Sequence, residues 1–300
     1  MKQIFTTLCL ILISAMCFAG INKDAGTYGY KFLNVPYGPV ALSLAGRGVY
    51  SSNNSSAFIL QPASSCVNDQ RLLGITHNMW LADTQANMIS YSYSRKIDHF
   101  GIAIRNLDYG DIENRDDMGI MIGSYHPIDI DATANYARRL SPNFYTGVNL
   151  GVLYQKLNTA SSLALHSDLG FCYLPPVKNT KISLAVRDLG VANKTDDERV
   201  KLPTSFEMDI NKGFLLADQQ IFLGGSAIQT LDEDLKGSIN LEGNLFQIFS
   251  IRGGYLLGYD AQDFSAGFGV KYKNISVDYG YGAFNSELND VHSFGVTYRF

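Results

Sequence analysis

The chain has 300 residues, of which 28 are acidic and 24 are basic, so its formal net charge is −4 at neutral pH. Such mild acidity argues against a nucleic-acid-binding surface, which would show a basic patch or stripe. The 18 tyrosines, 17 phenylalanines and 28 glycines, with 17% charged residues, are typical of a chain of many strands, in a membrane barrel or in a soluble sandwich.

The start of the chain has the pattern of a secretory signal peptide. Lys2 provides a positive charge, Ile4–Ile13 form a short apolar run, and Cys17-Phe18-Ala19 ends in the small residue that signal peptidase prefers. We therefore expect residues 1–19 to be removed, which leaves a net charge of −5 (−4 − 1) because Lys2 is lost. The alternative, an N-terminal anchor, is disfavoured because a spanning helix needs about 20 apolar residues.

Two cysteines remain after this cleavage, Cys66 and Cys172. They are too far apart in sequence for a disulfide framework or a metal site, which would show closer, repeated spacing. Whether they pair is left open by the sequence. No later stretch reaches the roughly 18 consecutive apolar residues of a helical span, so any membrane crossing after the signal must use strands.

Residues 20–70 differ from the rest of the chain. They contain a small-residue run, Ala41–Gly48, and the polar stretches Ser51–Ser56 and Gln61–Ser64. This composition predicts irregular or short helical pieces, and the segment has about the size of a plug that folds into a barrel lumen.

Residues 71–300 consist of short alternating segments separated by Gly, Asn, Asp and Pro clusters, the spacing of a barrel or sandwich. We predict an all-β fold, a transmembrane antiparallel β-barrel of about 14 strands. The strands are expected near residues 71–78, 87–95, 99–107, 128–139, 145–156, 163–173, 180–188, 204–212, 219–228, 237–243, 248–257, 264–272, 274–283 and 291–300.

The two faces of these strands carry different residues. In the last strand Phe294, Val296 and Tyr298 alternate with small or polar residues, and the same pattern recurs upstream. The second face is rich in glycine, which suits a crowded barrel interior, with the large apolar groups facing lipid. Five tyrosines near strand ends are expected at the bilayer surface: Tyr145, Tyr154, Tyr272, Tyr281 and Tyr298.

The connections indicate which end of the barrel faces outward. Arg139–Asn143 and Tyr272–Asn274 are short and should be periplasmic turns, whereas Asp108–Asp117 and Val191–Leu202 are longer and polar and should be external loops. The segment Met118–Tyr125 could be an extra strand or a folded part of the first long loop.

Several short segments resemble the PorV/PorQ family of outer-membrane proteins, within the wider FadL-like group of barrels. They are AGTYGYKFLNV at 25–35, QPASS at 61–65, YARRL at 136–140 and the closing YRF at 298–300. The chain departs from the family where Gln61–Ser64 replaces an Asn-Pro-Ala-Gly turn, so ligand contacts are not transferred onto the plug. The resemblance implies a bacterial outer-membrane location and a role as an accessory to protein secretion or surface attachment. Its partner would be an exported protein or a secretion-system subunit.

The histidines give no sign of catalysis or of metal binding. They are His77, His99, His126, His166 and His292. No two have the spacing of a metal site, and none lies beside a Gly-x-Ser-x-Gly elbow. We predict no enzymatic activity, no cofactor and no metal.

Charged residues assigned to the inner face are expected to form a pairing network, because a buried charge is costly without a partner. They are Arg105, Arg187, Glu207, Asp209, Glu242, Arg252, Lys271, Asp278 and Arg299. The alternative is a polar constriction or a headgroup site.

Phe32, Leu33, Phe58 and Leu60 could line an apolar pocket in the plug or pack it against the wall. The sequence thus leaves two functions open, secretion accessory or FadL-like uptake of a hydrophobic small molecule, both in contact with outer-membrane lipid.

Overall fold

The computed structural model describes residues 28–48, 54–64, 71–195, 198–285 and 289–300. The expected signal peptide and Cys66 lie outside these ranges, so the cleavage stays a prediction and the question whether Cys66 pairs with Cys172 stays open. Within these ranges no helix is long and apolar enough to cross a membrane.

A closed antiparallel barrel of fourteen strands makes up most of the described chain, which confirms the predicted fold class. Its strands are β1 (Leu72–Met79), β2 (Gln85–Arg95), β3 (Asp98–Asp108), β6 (Ile128–Ser141), β7 (Phe144–Lys156), β8 (Ser161–Tyr173), β9 (Thr180–Ala192), β12 (Ser205–Leu216), β13 (Gln219–Thr230), β14 (Lys236–Leu245), β15 (Phe249–Leu257), β16 (Gln262–Tyr272), β17 (Ile275–Phe284) and β18 (Val291–Arg299). Each barrel strand pairs with the barrel strands before and after it in sequence, and β1 pairs with β18 to close the barrel.

Two small hairpins lie outside the barrel sheet. One consists of β4 (Ile112–Arg115) and β5 (Met121–Tyr125), and the other of β10 (Lys194–Thr195) and β11 (Glu198–Arg199). The segment Met118–Tyr125 is therefore part of a folded loop and not an extra barrel strand. Both hairpins extend from the end opposite Phe300 and the short turns, which places them on the outer side of the membrane, because short turns face the periplasm.

The outside of the barrel is apolar, as the alternation predicts. Large side chains from every part of the barrel wall are exposed there, including Ile102, Ile104, Leu150, Val152, Leu165, Ile239, Leu241, Phe268, Val277, Phe294 and Val296. A soluble protein would bury such residues, whereas an outer-membrane barrel presents them to lipid. The barrel wall is therefore the membrane-spanning part of the protein.

Placing a charge in this belt is expected to weaken the fold strongly. Leu150, in the middle of β7, is 62% exposed, so Leu150→Arg would put a guanidinium into hydrocarbon. We expect the free energy of unfolding in lipid vesicles, measured by denaturant titration, to fall by about 2–4 kcal/mol. The control is Leu235→Arg, a similarly exposed leucine in the loop before β14, which should leave stability unchanged. Equal effects at the two sites would contradict a lipid-facing belt.

One tyrosine is placed differently from the expectation. Tyr145 faces the lumen and is buried, because it has the same parity along β7 as Gly147 and Asn149, which both point inward. Tyr154, Tyr272 and Tyr298 lie on the exposed outer face.

The plug occupies the lumen over the described residues 28–48 and 54–64. It contains a 3-10 turn at Lys31–Asn34 and two short helices, α1 (Pro39–Ser43) and α2 (Ala57–Leu60). α1 packs against β15 to β18. Aromatic and aliphatic side chains from around the 3-10 turn and α2 form an apolar cluster with residues of β2, β3, β7 and β8. The plug is thus held by opposite parts of the barrel wall.

The glycines of the inner face leave room for the backbone of the plug. A Cβ at Gly147 would lie 2.3 Å from the carbonyl oxygen of Pro62, and one at Gly280 would lie 2.6 Å from that of Pro39. The plug approaches other glycines as closely: Gly101, Gly170, Gly254 and Gly267. The glycine-rich face in the sequence therefore marks where the wall contacts the plug.

Asn78 links the plug to the junction where the barrel closes. This buried side chain on β1 donates a hydrogen bond to the carbonyl oxygen of Pro36 at 3.0 Å. Its carbonyl oxygen accepts hydrogen bonds from Ser293 on β18 and from the backbone of Gly38. One side chain therefore joins the first strand, the last strand and the plug.

Candidate functional site

A connected group of charged side chains lies buried between the plug and strands β3, β6, β8, β9 and β12. We call it the lumen charge cluster, and each member lies within 3.8 Å of another: Arg47, Arg105, Asp131, His166, Asp168, Arg187, Asp188, Glu207 and Asp209. All nine are almost completely buried. Burial of so many charges is tolerated only because they pair.

Arg47 connects the plug to this cluster. Its Nη2 lies 2.6 Å from Asp209 Oδ2 and its Nη1 lies 2.9 Å from Glu207 Oε2, while Nε donates to Asp209 Oδ1 at 2.8 Å. The guanidinium thus donates two hydrogen bonds to Asp209 and a third to Glu207. The paired hydrogen bonds to Asp209 have the forked geometry in which arginine binds carboxylates most strongly. Arg187 on β9 holds the other oxygen of Glu207 at 3.2 Å.

A cavity of about 180 Å³ lies on the outer side of Arg47. Its apolar lining comes from Leu33 and Leu60 of the plug and from Ile228 and Leu256 of the wall. Arg47 and Glu207 form part of its polar lining. We call this space the upper cavity.

A second cavity, of about 420 Å³, lies at the periplasmic end of β9, β12 and β13. Its lining includes Lys178, Lys181, Asn211, Leu215 and Phe222. We call it the lower cavity.

Arg47 stands between the two cavities. Glu207, Asp209 and Asn211 are successive inward positions on β12, about 7 Å apart from one to the next. Glu207 borders the upper cavity, Asn211 borders the lower one, and Arg47 binds the residue between them. Arg47 therefore binds Asp209 at the position on β12 that lies between the residues bordering the two cavities.

Charged residues also cover the outer side of the upper cavity. Lys31 of the plug lies 2.6 Å from Asp232 and 2.8 Å from Glu233, and Lys236 lies 2.7 Å from Glu233. Burial raises the pKa of Glu233, but hydrogen bonds from Lys236 and Lys31 outweigh this, so its pKa is below the ordinary value. Glu233 is therefore anionic at neutral pH and ties the plug to the loop between β13 and β14.

The four plug residues expected to line a pocket divide into two pairs. Phe32 and Phe58 are buried in the apolar cluster with wall residues, and Phe58 lies directly over Gly101. Leu33 belongs to that cluster and also borders the upper cavity, which Leu60 lines as well.

The inner-face charges expected from the alternation are found in three places. Arg105, Arg187, Glu207 and Asp209 belong to the lumen charge cluster. Arg252 forms a separate buried group, 2.6 Å from Asp278 and 3.4 Å from Glu242. Lys271 and Arg299 lie at the periplasmic ends of β16 and β18 and are partly exposed.

Sequence reasoning missed the other members of the cluster, among them Arg47, Asp131 and His166. Arg47 lies in the irregular plug, where no periodicity indicates which way a side chain points. The two-residue alternation could have placed Asp131 on the inner face. On β6 the polar residues Asp129, Asp131, Thr133 and Asn135 alternate with Ile130, Ala132 and Ala134.

The β4–β5 hairpin presents apolar side chains to the outside and is fixed at its base by a histidine. Met118, Ile120, Met121 and Ile122 are all more than half exposed, Met118 at 86%. His126 Nε2 lies 2.9 Å from Asp108 Oδ1, and its Nδ1 lies 3.0 Å from Asp111 Oδ1. His126 thus bridges the end of β3 and the residue that precedes β4.

This bridge is expected to loosen as the pH rises. The hydrogen bond to Asp111 raises the pKa of His126, and the carboxylate of Asp108 adds to the rise. The bridge depends on the protonated, positively charged imidazole of His126. Because the pKa of His126 is raised in the fold, the bridge is complete below the ordinary histidine pKa of about 6.5 and is lost as the pH rises through the raised pKa. A spin label at position 118 should therefore be less mobile at pH 5.5 than at pH 9.

The matched variant for this measurement is His126→Gln, which cannot become charged. Its label should show the same high mobility at both pH values. If the wild-type hairpin also shows no change with pH, the charged bridge does not hold the loop.

The fold and the lumen together define the class of the protein. A closed antiparallel barrel with an apolar exterior, a polar interior and an internal plug is an outer-membrane β-barrel. No protein-family model matches the chain, and no curated protein matches it by sequence.

Solved structures identify the kind of barrel. A FadL homologue from Pseudomonas aeruginosa matches with a TM-score of 0.59 at 12% sequence identity, over 89% of this chain and 99% of its own. The toluene transporter TodX from Pseudomonas putida matches with a TM-score of 0.62 at 10% identity, over 88% of this chain and 97% of its own. At such identity the likeness establishes a FadL-like barrel fold.

Proposed function

We propose that the protein lets a small hydrophobic molecule cross the outer membrane along β12, from the upper to the lower cavity. The observation that carries this proposal is the position of Arg47, which holds Glu207 and Asp209 between the two cavities. With Arg47 in this position the path is closed. Movement of Arg47 with its backbone would join the upper cavity to the lower cavity.

The cavities indicate a small ligand. Pockets for drug-sized ligands have volumes of roughly 300–1,000 Å³. The lower cavity, at about 420 Å³, falls within this range, whereas the upper cavity, at about 180 Å³, is smaller. Leucine and isoleucine side chains line the upper cavity beside its charged groups. A compact apolar molecule of the size of a monoaromatic hydrocarbon therefore fits the path better than a long acyl chain. The fold shared with a toluene transporter supports the same choice.

The experiment compares entry of labelled toluene and labelled palmitate into cells that lack their own FadL-like barrels. We expect the protein to raise the initial rate of toluene entry several-fold over the empty vector, with a smaller effect on palmitate. A matched variant is Leu60→Asp, which puts a charge into the upper cavity and should abolish the increase. Entry equal to the vector control for both probes would contradict the proposal.

A second candidate, binding of an exported protein at the cell surface, rests on the β4–β5 hairpin. Its exposed Met118, Ile120, Met121 and Ile122 form an apolar tip beyond the barrel. Apolar tips rich in methionine are typical of surfaces that bind partner proteins. This arrangement agrees with the secretion-accessory role implied by the PorV/PorQ resemblance.

The test is photo-crosslinking in living cells from position 120, with position 235, in the loop before β14, as the control. A defined adduct with an exported protein from position 120, absent from position 235, would support a secretion partner. If no adduct forms, or if both positions give the same products, the hairpin does not bind one.

A further inference from the structure

A histidine and two aspartates from β8 and β9 point at one another inside the lumen charge cluster. His166 Nδ1 lies 3.7 Å from Asp168 Oδ1 and 3.8 Å from Asp188 Oδ1, and the three atoms all lie within 4.8 Å of one another. None of the three residues lines the upper or the lower cavity. The group is therefore separate from the proposed path.

Two of the three residues present atoms without hydrogen-bond partners to the centre of this group. His166 is 4% exposed and Asp188 is 1% exposed, yet neither His166 Nδ1 nor either carboxylate oxygen of Asp188 makes a hydrogen bond. Leaving a buried carboxylate without a partner is costly. The closest cation to Asp188 is Arg187, whose Nη2 lies 3.6 Å from Asp188 Oδ2.

A bulge between β8 and β9 produces this arrangement. The strand register shifts between Ser167 and Leu169, and Asp188 has a positive φ of 57°. A bulge re-aims a side chain, so that the neighbours Arg187 and Asp188 are both buried instead of alternating. Ordinary alternation would have sent one of them to the outer face.

The lumen charge cluster also carries an excess of negative charge. Beside His166 it contains three arginines and five carboxylates, so its carboxylates outnumber its arginines by two (5 − 3). A divalent cation bound among these carboxylates would balance that excess.

We propose that His166, Asp168 and Asp188 bind a divalent transition-metal ion, of which Zn²⁺ is the representative. Imidazole nitrogen and carboxylate oxygen are ordinary zinc ligands at about 2.0–2.2 Å, which places neighbouring ligands roughly 3.4 Å apart in a tetrahedral site. The separations of 3.7 and 3.8 Å from His166 Nδ1 are slightly longer than that spacing, and all three atoms lie within 4.8 Å of one another.

Asp131 accepts a hydrogen bond from the ring nitrogen of His166 that does not face the proposed metal ion. Its Oδ1 lies 3.0 Å from His166 Nε2, so Nε2–H donates to Asp131 and leaves Nδ1 free to bind metal. Metal-binding histidines usually have such a partner, which fixes the tautomer and the ring orientation. Asp168 is positioned too, since its Oδ2 accepts from Asn149 at 2.8 Å and its Oδ1 from the backbone of Asp188. The ion would fasten β8 to β9 beside Arg187.

The experiment measures zinc bound to the full-length protein in mild detergent. The protein is stripped with a chelator, incubated with Zn²⁺, freed of excess metal and analysed by mass spectrometry for metal content. We expect a single zinc ion per barrel. Asp188→Asn and His166→Gln should lose it, and Asp131→Asn should weaken zinc binding about 10- to 100-fold in a chelator competition.

The matched control is His99→Gln, which changes another buried histidine of the lumen and should keep the zinc. Altered migration on heating in gel electrophoresis reports whether each variant is folded, and Asp188→Asn serves if His166→Gln does not fold. Wild-type protein without bound zinc would overturn the proposal. So would folded Asp188→Asn and His166→Gln proteins that hold as much zinc as the wild type.

Discussion

Replacing Arg47 with alanine is expected to open the barrel. Glu207 and Asp209 would be left buried without the guanidinium that binds both. Breaking a buried ion pair by removing one partner costs about 3–5 kcal/mol, and each 1.4 kcal/mol is tenfold in a population. The displaced state of the plug should therefore become roughly a hundred- to several-thousand-fold more populated. Single-channel recordings in planar bilayers should show frequent openings where the wild type is nearly silent.

The control for this recording is Arg138→Ala. Arg138 lies near the periplasmic end of β6, about half exposed, and its Nε is 3.7 Å from Asp98 Oδ1. Exposed ion pairs of this kind contribute about 0–1 kcal/mol, so this variant should remain closed. An Arg47→Ala protein that stays as silent as Arg138→Ala would show that the ion pair does not close the path.

Gly147→Val is expected to displace the end of the plug. A Cβ at this position would lie 2.3 Å from the carbonyl oxygen of Pro62 and 2.8 Å from the backbone nitrogen of Ala63. Both are backbone atoms, so no side-chain rotation can relieve the contact. Overpacking of this kind costs about 1–3 kcal/mol or more, and we expect a clear fall in the melting temperature in detergent. Hydrogen exchange at the amide of Ala63, which donates to Gln61, should become faster.

Gly243→Val provides the comparison for this variant. Gly243 also lies in a barrel strand, but a Cβ there would meet no atom within 4 Å. The same substitution should therefore leave both the melting temperature and the exchange at Ala63 unchanged. Equal destabilisation by the two valines would mean that the branched side chain itself, and not contact with the plug, is responsible.

The barrel could be predicted from the sequence because lipid outside and polar groups inside impose a strict two-residue alternation. The pattern that sets Val296 and Tyr298 against their small neighbours recurs in several other predicted strands, and the count of fourteen is confirmed. The same alternation placed Glu207 and Asp209 on the inner face, where Arg47 binds them.

The site could not be assembled in the same way, because its members do not follow the alternation. Arg47 belongs to a plug without regular secondary structure, and its partners on β12 lie more than 150 residues later in the chain, at separations of 160 and 162. Asp188 is turned inward by a bulge with a positive φ, which no two-residue pattern indicates. Tyr145 departs from the expectation for another reason: its aromatic type near a strand end predicts the bilayer surface, whereas its parity along β7 turns it to the lumen.

The hydrogen bonds of Asn78 have a consequence for how the protein is made. The plug precedes β1 in the chain, and Asn78 on β1 bonds both to the plug and to Ser293 on the last strand. The seam between β1 and β18 therefore has all the hydrogen bonds of Asn78 only when Pro36 and Gly38 are in place beside it. Docking of the N-terminal segment therefore stabilises the closed cylinder through hydrogen bonds that the first and last strands cannot make with each other alone.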